Sequence, residues 1–127
     1  MYYHSKIIES SFEDAQIRIA EALQKEGFGV LTEIDVKATL KKKLDVDFRN
    51  YKILGACNPP IAYKALSKED NIGVLLPCNV VLQEKVAGQI QVSVINPMES
   101  MKAVGNTELA EIAGEVSGRL LKALNSL

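Results

Sequence analysis

The sequence predicts a single α+β domain, a mixed sheet with packed helices in the order β-α-β-α-β-α-β-β-α. Three observations carry that reading. No other segment is as continuously apolar as Gly73-Val-Leu-Leu-Pro-Cys-Asn-Val-Val-Leu-Gln-Glu84, which reads as a central strand buried on both faces. Gln89-Ile-Gln-Val-Ser-Val-Ile95 alternates apolar and polar residues, the pattern of a half-exposed strand. Apolar residues recur at helical spacing in two places, Phe12 to Leu23 and Leu109 to Leu127.

Taken in order, residues 2–9 favour a first strand, with Tyr3, Ser5 and Ile7 on one side and Tyr2, His4, Lys6 and Ile8 on the other. Ser11 then caps a helix carrying Phe12, Ala15, Ile19, Ala22 and Leu23, and Gly27 occupies the left-handed terminating position. Residues 28–34 form the next strand. Asp35 caps a short helix whose apolar face is Val36, Leu40 and Leu44; Lys37 and Lys41 to Lys43 form its wet side, their charge offset by Asp45 and Asp47. Residues 51–56 make a third strand that runs into Cys57. There Asn58 as N-cap and Pro59 as first helical residue start a helix over 60–68.

Pro77 cannot donate to a sheet ladder, so the central strand must bulge, break or lie at an edge there. Ala87-Gly88 turns the chain so that residues 80–84 pair with 89–94 as a hairpin. Pro97 ends that strand, and Asn106 or Thr107 caps the terminal helix. Gly114 and Gly118 lie inside this helix, each costing about 1 kcal/mol against alanine. Either another backbone approaches closely there or the glycines are simply tolerated.

The chain has 127 residues, one domain spanning 1–127, large enough for a core without disulfide staples. A net charge of -1 gives no long-range field for anionic partners, so neither nucleic acid nor membrane is expected. Two cysteines are too few for a secreted disulfide framework, and no basic region followed by an apolar run opens the chain; both favour the cytoplasm. A half-apolar terminal helix beside a small strand set predicts a homodimer.

Chemistry concentrates on two Cys-Asn dipeptides. Cys57 precedes a helix start, where free amides and the positive end of the dipole stabilise a thiolate and lower its pKa below about 8.5. Cys78 lies in apolar sequence beside the proline break and is expected to react more slowly. Candidate ligand-binding residues are therefore Cys57, Asn58, Cys78 and Asn79. The plain alternative makes both cysteines small buried hydrophobes, Asn58 a helix cap and Asn79 a bulge residue. His4 is the single histidine, and no metal site is expected. Gly27-Phe-Gly29 lacks a third glycine and precedes a strand, so no phosphate loop or nucleotide cofactor is assigned. Glu33, Asp35 and Glu84 show no spacing that marks a general acid/base pair.

The segments 27–35, 55–59 and 75–81 together resemble the bacterial and archaeal domain of unknown function family number 302, over essentially the whole chain. The resemblance implies a small α+β domain, dimeric, and no catalytic residues to carry over. The leading functional expectation is a cytoplasmic small-ligand or anion-binding domain at the two dipeptides. A thiol-dependent redox protein or enzyme is one alternative, and a structural homodimer module the other. Ligand binding requires a pocket beside the dipeptides, redox chemistry two sulfurs within reach, and a structural module sealed, dry cysteines.

Overall fold

Strand alternation and helical stripes assemble into two layers in the computed structural model, which describes residues 1–127. The strands are β1 (Tyr3–Glu9), β2 (Gly29–Asp35), β3 (Tyr51–Cys57), β4 (Cys78–Val86) and β5 (Gln89–Ile95). The helices are α1 (Phe12–Lys25), α2 (Val36–Leu44), α3 (Pro59–Lys68), the short α4 (Pro97–Ser100) and α5 (Leu109–Asn125). Two 3-10 segments, Asp70–Leu75 and Met101–Val104, fill the connections. The order of the five strands and the four longer helices matches the sequence reading, to which α4 and the 3-10 segments are additions, and the α+β class holds.

The sheet runs β1-β5-β4-β3-β2 and is antiparallel throughout, which corrects the expected mixed sheet. Local pattern shows that a helix separates two strands but not whether the second strand lies beside the first or returns parallel to it. Here α2 and α3 each join adjacent antiparallel strands, and α1 carries the chain from one sheet edge to the other.

Ile90, Val92 and Val94 on β5, Val80 and Leu82 on β4 and Leu54 on β3 turn to one face and are fully buried. The α5 stripe of Leu109, Ile112, Val116, Leu120 and Leu124, with Ile19 and Leu23 of α1, joins them in one 26-residue core cluster. Gln91, Ser93, Gln83 and Ser5 occupy the other, uncovered face, as period-two alternation demands. No helix is long and apolar enough to cross a membrane.

Caps fall where the residues place them. The Ser11 hydroxyl accepts from Asp14 N at 3.1 Å, Asp35 Oδ1 from Ala38 N at 2.9 Å, and Gly27 takes φ +85° after α1. The hairpin is present as expected, Val80 opposite Val94 and Glu84 opposite Ile90, with Gly88 at φ +81° in the turn. The break at Pro77 is also present, but it is larger than a bulge. Residues 70–75 are 3-10 helix, the Leu76-Pro77 peptide is cis, and β4 begins only at Cys78. The apolar run 73–84 is therefore part turn and part strand, and the turn leaves Val74 exposed and Leu75, Leu76 and Pro77 only half-buried.

One further expectation fails, and one open alternative is decided. None of the residues of α2 is buried, so Val36, Leu40 and Leu44 do not face the core. A Cβ added to Gly114 or Gly118 would meet nothing within 4 Å, so no second backbone approaches α5 there. The helix also starts later than expected, at Leu109, after a turn in which Asn106 Oδ1 accepts from Glu108 N at 3.0 Å. Gly55 is the glycine that is pressed: a Cβ there would lie 2.1 Å from Thr32 Oγ1 and 2.6 Å from Pro77 Cγ.

These contacts set opposite signs for two substitutions. Gly118→Ala, at an exposed helical position, is expected to raise unfolding free energy by about 0.5–1 kcal/mol. Gly55→Ala is expected to lower it by about 1–3 kcal/mol through overpacking. Urea denaturation midpoints at constant m-value check both.

Candidate functional site

The end of β3 and the start of β4 lie side by side, with Ala56 opposite Cys78, and α3 leaves the sheet directly after Cys57. Antiparallel adjacency thus gathers Cys57, Asn58 and Cys78 at one end of the sheet. The first turn of α3 is unusual in having no spare donors. Pro59 and Pro60 carry no N–H, Ile61 N donates to Asn58 Oδ1 at 3.5 Å, and Ala62 N donates to Asn58 O at 2.9 Å. The free amides expected to stabilise a Cys57 thiolate are consequently not there.

Asn58 does more than cap α3. Its Nδ2 donates to Glu26 O at 3.3 Å, and Arg119 Nη1 donates to the same carbonyl at 3.1 Å. The C-terminus of α1, the start of α3 and the middle of α5 are tied at one oxygen. A Cβ on Gly27 would stand 2.8 Å from Asn58 Nδ2, so a side chain there would disturb this clasp. Asn58 is buried, and both ends of its amide are engaged.

Beside the clasp opens a cavity of about 340 Å³. Leu31 and Thr32 of β2, Ile61, Ala62, Ala65 and Leu66 of α3, and Leu76 and Pro77 of the break form much of its wall. Met101, Ile112 and Val116 close the far side. The register of β2 shifts between Val30 and Thr32, and the extra residue at that bulge is Leu31, 68% exposed on the rim. Cys57 and Cys78 both line the cavity and both are free thiols. Cys57 is half-buried, whereas burial, with a smaller contribution from Cys57, pushes the Cys78 thiol up to about 11.

Asn79 is not with the other three. One residue past Cys78, strand alternation turns it to the uncovered face, where it lines a separate depression with Tyr3, Tyr51, Gln83 and Gln91. The four candidates therefore divide three to one between two separate depressions. The wall residues Leu31, Ile61, Leu66, Leu76 and Val116 were not singled out by the sequence, since apolar residues announce burial without saying that a space is left between them.

The carboxylates have structural partners. Glu33 pairs with Lys52 at 2.9 Å, and hydrogen bonding to Lys52 and then to Gln16 lowers its pKa. Glu84 accepts from Asn50 Nδ2 at 2.9 Å and Gly88 N at 2.8 Å, holding the β4–β5 turn, and these bonds lower its pKa too. Lys41 of α2 contacts Asp45 at 3.0 Å and Asp47 at 3.4 Å. His4 lies on β1, at the opposite sheet edge from β2. No three His, Cys, Asp or Glu side chains are grouped to hold a metal ion.

Comparison with known proteins agrees with this architecture. The crystal structure of an uncharacterised conserved DUF302 protein from Bacillus stearothermophilus superposes with a TM-score of 0.90. It is 28% identical in sequence, over 98% of this chain and 97% of its own. No curated protein matches. The family model described as "Domain of unknown function DUF302" matches residues 4–127, and the chain belongs to that family.

Proposed function

We propose that the protein is a cytoplasmic small-ligand-binding domain whose site is the cavity at the start of α3. The observation that carries this reading is the cavity itself: about 340 Å³, within the size range of small-molecule sites, reached past Leu31 and lined by both thiols. A purely structural module has no need of such a space, because voids in a core weaken it. A thiol-redox reading is less well supported, since a thiol pushed up to about 11 stays protonated near neutral pH and is a poor nucleophile.

We also propose that two copies pair through β2. This strand has β3 on one side only, all of its residues are exposed, and Val30, Leu31 and Ile34 leave apolar side chains in water along its unpaired edge. An edge of this kind is self-complementary about a two-fold axis, two strands meeting antiparallel.

Two measurements test these readings. In native protein, iodoacetamide is expected to label Cys57 about tenfold faster than Cys78, identified by peptide mass, and Ala62→Leu should slow Cys57 by narrowing the space. No labelling of either thiol before unfolding would mean a sealed interior and end the ligand-site reading, and faster labelling of Cys78 would overturn the expected order. Sedimentation should show dimer at micromolar concentration, shifted toward monomer by Leu31→Lys. Monomer alone in the unsubstituted protein at high micromolar concentration would dispose of the β2 pairing.

A further inference from the structure

We infer that the cavity takes an uncharged apolar group, an aliphatic chain or unsubstituted ring, and not an anion; this rests on the reading of the cavity as the ligand site. No Lys, Arg, His, Asp or Glu contributes to the wall. Thr32, Asn58 and the two thiols are its only polar side chains, and the Asn58 amide is committed to Glu26 O and Ile61 N. The helix start that would ordinarily receive an anion is closed as well. Two prolines remove the first donors, and the amides of Ile61 and Ala62 are bonded to Asn58.

An anion entering this space would shed water and meet neither a cation nor a free N–H, a cost that burial of apolar atoms does not offset. An apolar group meets the opposite balance. It loses no hydrogen bonds and gains contact with Ile61, Leu66, Leu76, Ile112 and Val116. An apolar cavity of about 150 Å³ suffices for benzene, so 340 Å³ admits a group roughly twice that size.

Methyl and amide NMR of the whole chain, titrated separately with 1-octanol and with inorganic phosphate, decides the matter. Octanol is expected to shift the methyl signals of Ile61, Leu76 and Val116, and Ala62→Leu to weaken that binding about tenfold. Phosphate is expected to leave those methyls and the amides of Cys57 and Ile61 unmoved. Phosphate shifts at these positions, with or without an octanol response, overturn the apolar assignment and leave a ligand site in place. Silence toward both probes in the unsubstituted protein removes the ligand site together with its assignment. Should Ala62→Leu fail to fold, the shifts in the unsubstituted protein still separate these outcomes.

Discussion

The structure depends on a sheet covered on one face only. Val80, Leu82, Ile90, Val92 and Val94 are completely removed from water beneath the α1 and α5 stripes. Each such side chain contributes about 1.5–3 kcal/mol relative to exposure, so the five together outweigh any other local preference in the sheet. Because side chains alternate, slipping any strand by one residue would exchange this buried set for Asn79, Gln83, Gln91 and Ser93. Register is thereby locked from β5 through β4 to β3. The placement of Cys78 inward and Asn79 outward is a consequence of that lock and owes nothing to the chemistry of either residue.

The cavity forms where this covered sheet runs out. At the β3 and β4 ends the chain leaves the plane into α3 and returns through the 3-10 segment and Pro77, and neither path fills the corner. Gly55 lets Thr32 and Pro77 close over the strand from the uncovered side. The β2 bulge then carries Leu31 to the rim. What remains is a space bounded by apolar side chains from six parts of the chain. Its chemistry follows from the same packing: every charged group lies outside, and the one buried amide is occupied in joining helices.

That amide has an architectural weight beyond its helix. Glu26 O, the carbonyl just past α1, accepts from Asn58 and from Arg119. A carbonyl at a helix end has no partner within its own helix and needs one from elsewhere as it is drawn out of water. Glu26 is half-buried. Here its carbonyl is satisfied by two elements distant in sequence, so the two donors both complete the end of α1 and fix α3 and α5 against it. The Asn58-Pro59-Pro60 sequence thus secures the wall of the cavity while denying its occupant any backbone donor.

Much of this was legible in the residues, and the misses share a cause. Ser11, Asp35 and Asn58-Pro59 marked helix starts because capping is a contact between residues three apart, and Gly88 marked the hairpin because a positive φ is a local demand. The alternation of β5 and the stripe of α5 named the core faces for the same reason. The nature of residues 73–76 was hidden, since an apolar run reads as buried strand, whereas here it forms a turn that leaves Val74 exposed and Leu75 and Leu76 half-buried. The apolar face of α2 was visible, but nothing local said that the core would not reach it. By itself the sequence determined which segments are helix or strand and which face of most of them seeks the core, because hydrophobic period and capping act over a few residues. Only the tertiary structure decided that the sheet is antiparallel throughout, that Cys57, Asn58 and Cys78 meet while Asn79 faces away, and that an apolar space is left beside them. Those outcomes depend on register and on packing between elements far apart in the chain, and long-range contacts of that kind leave no mark on any one segment.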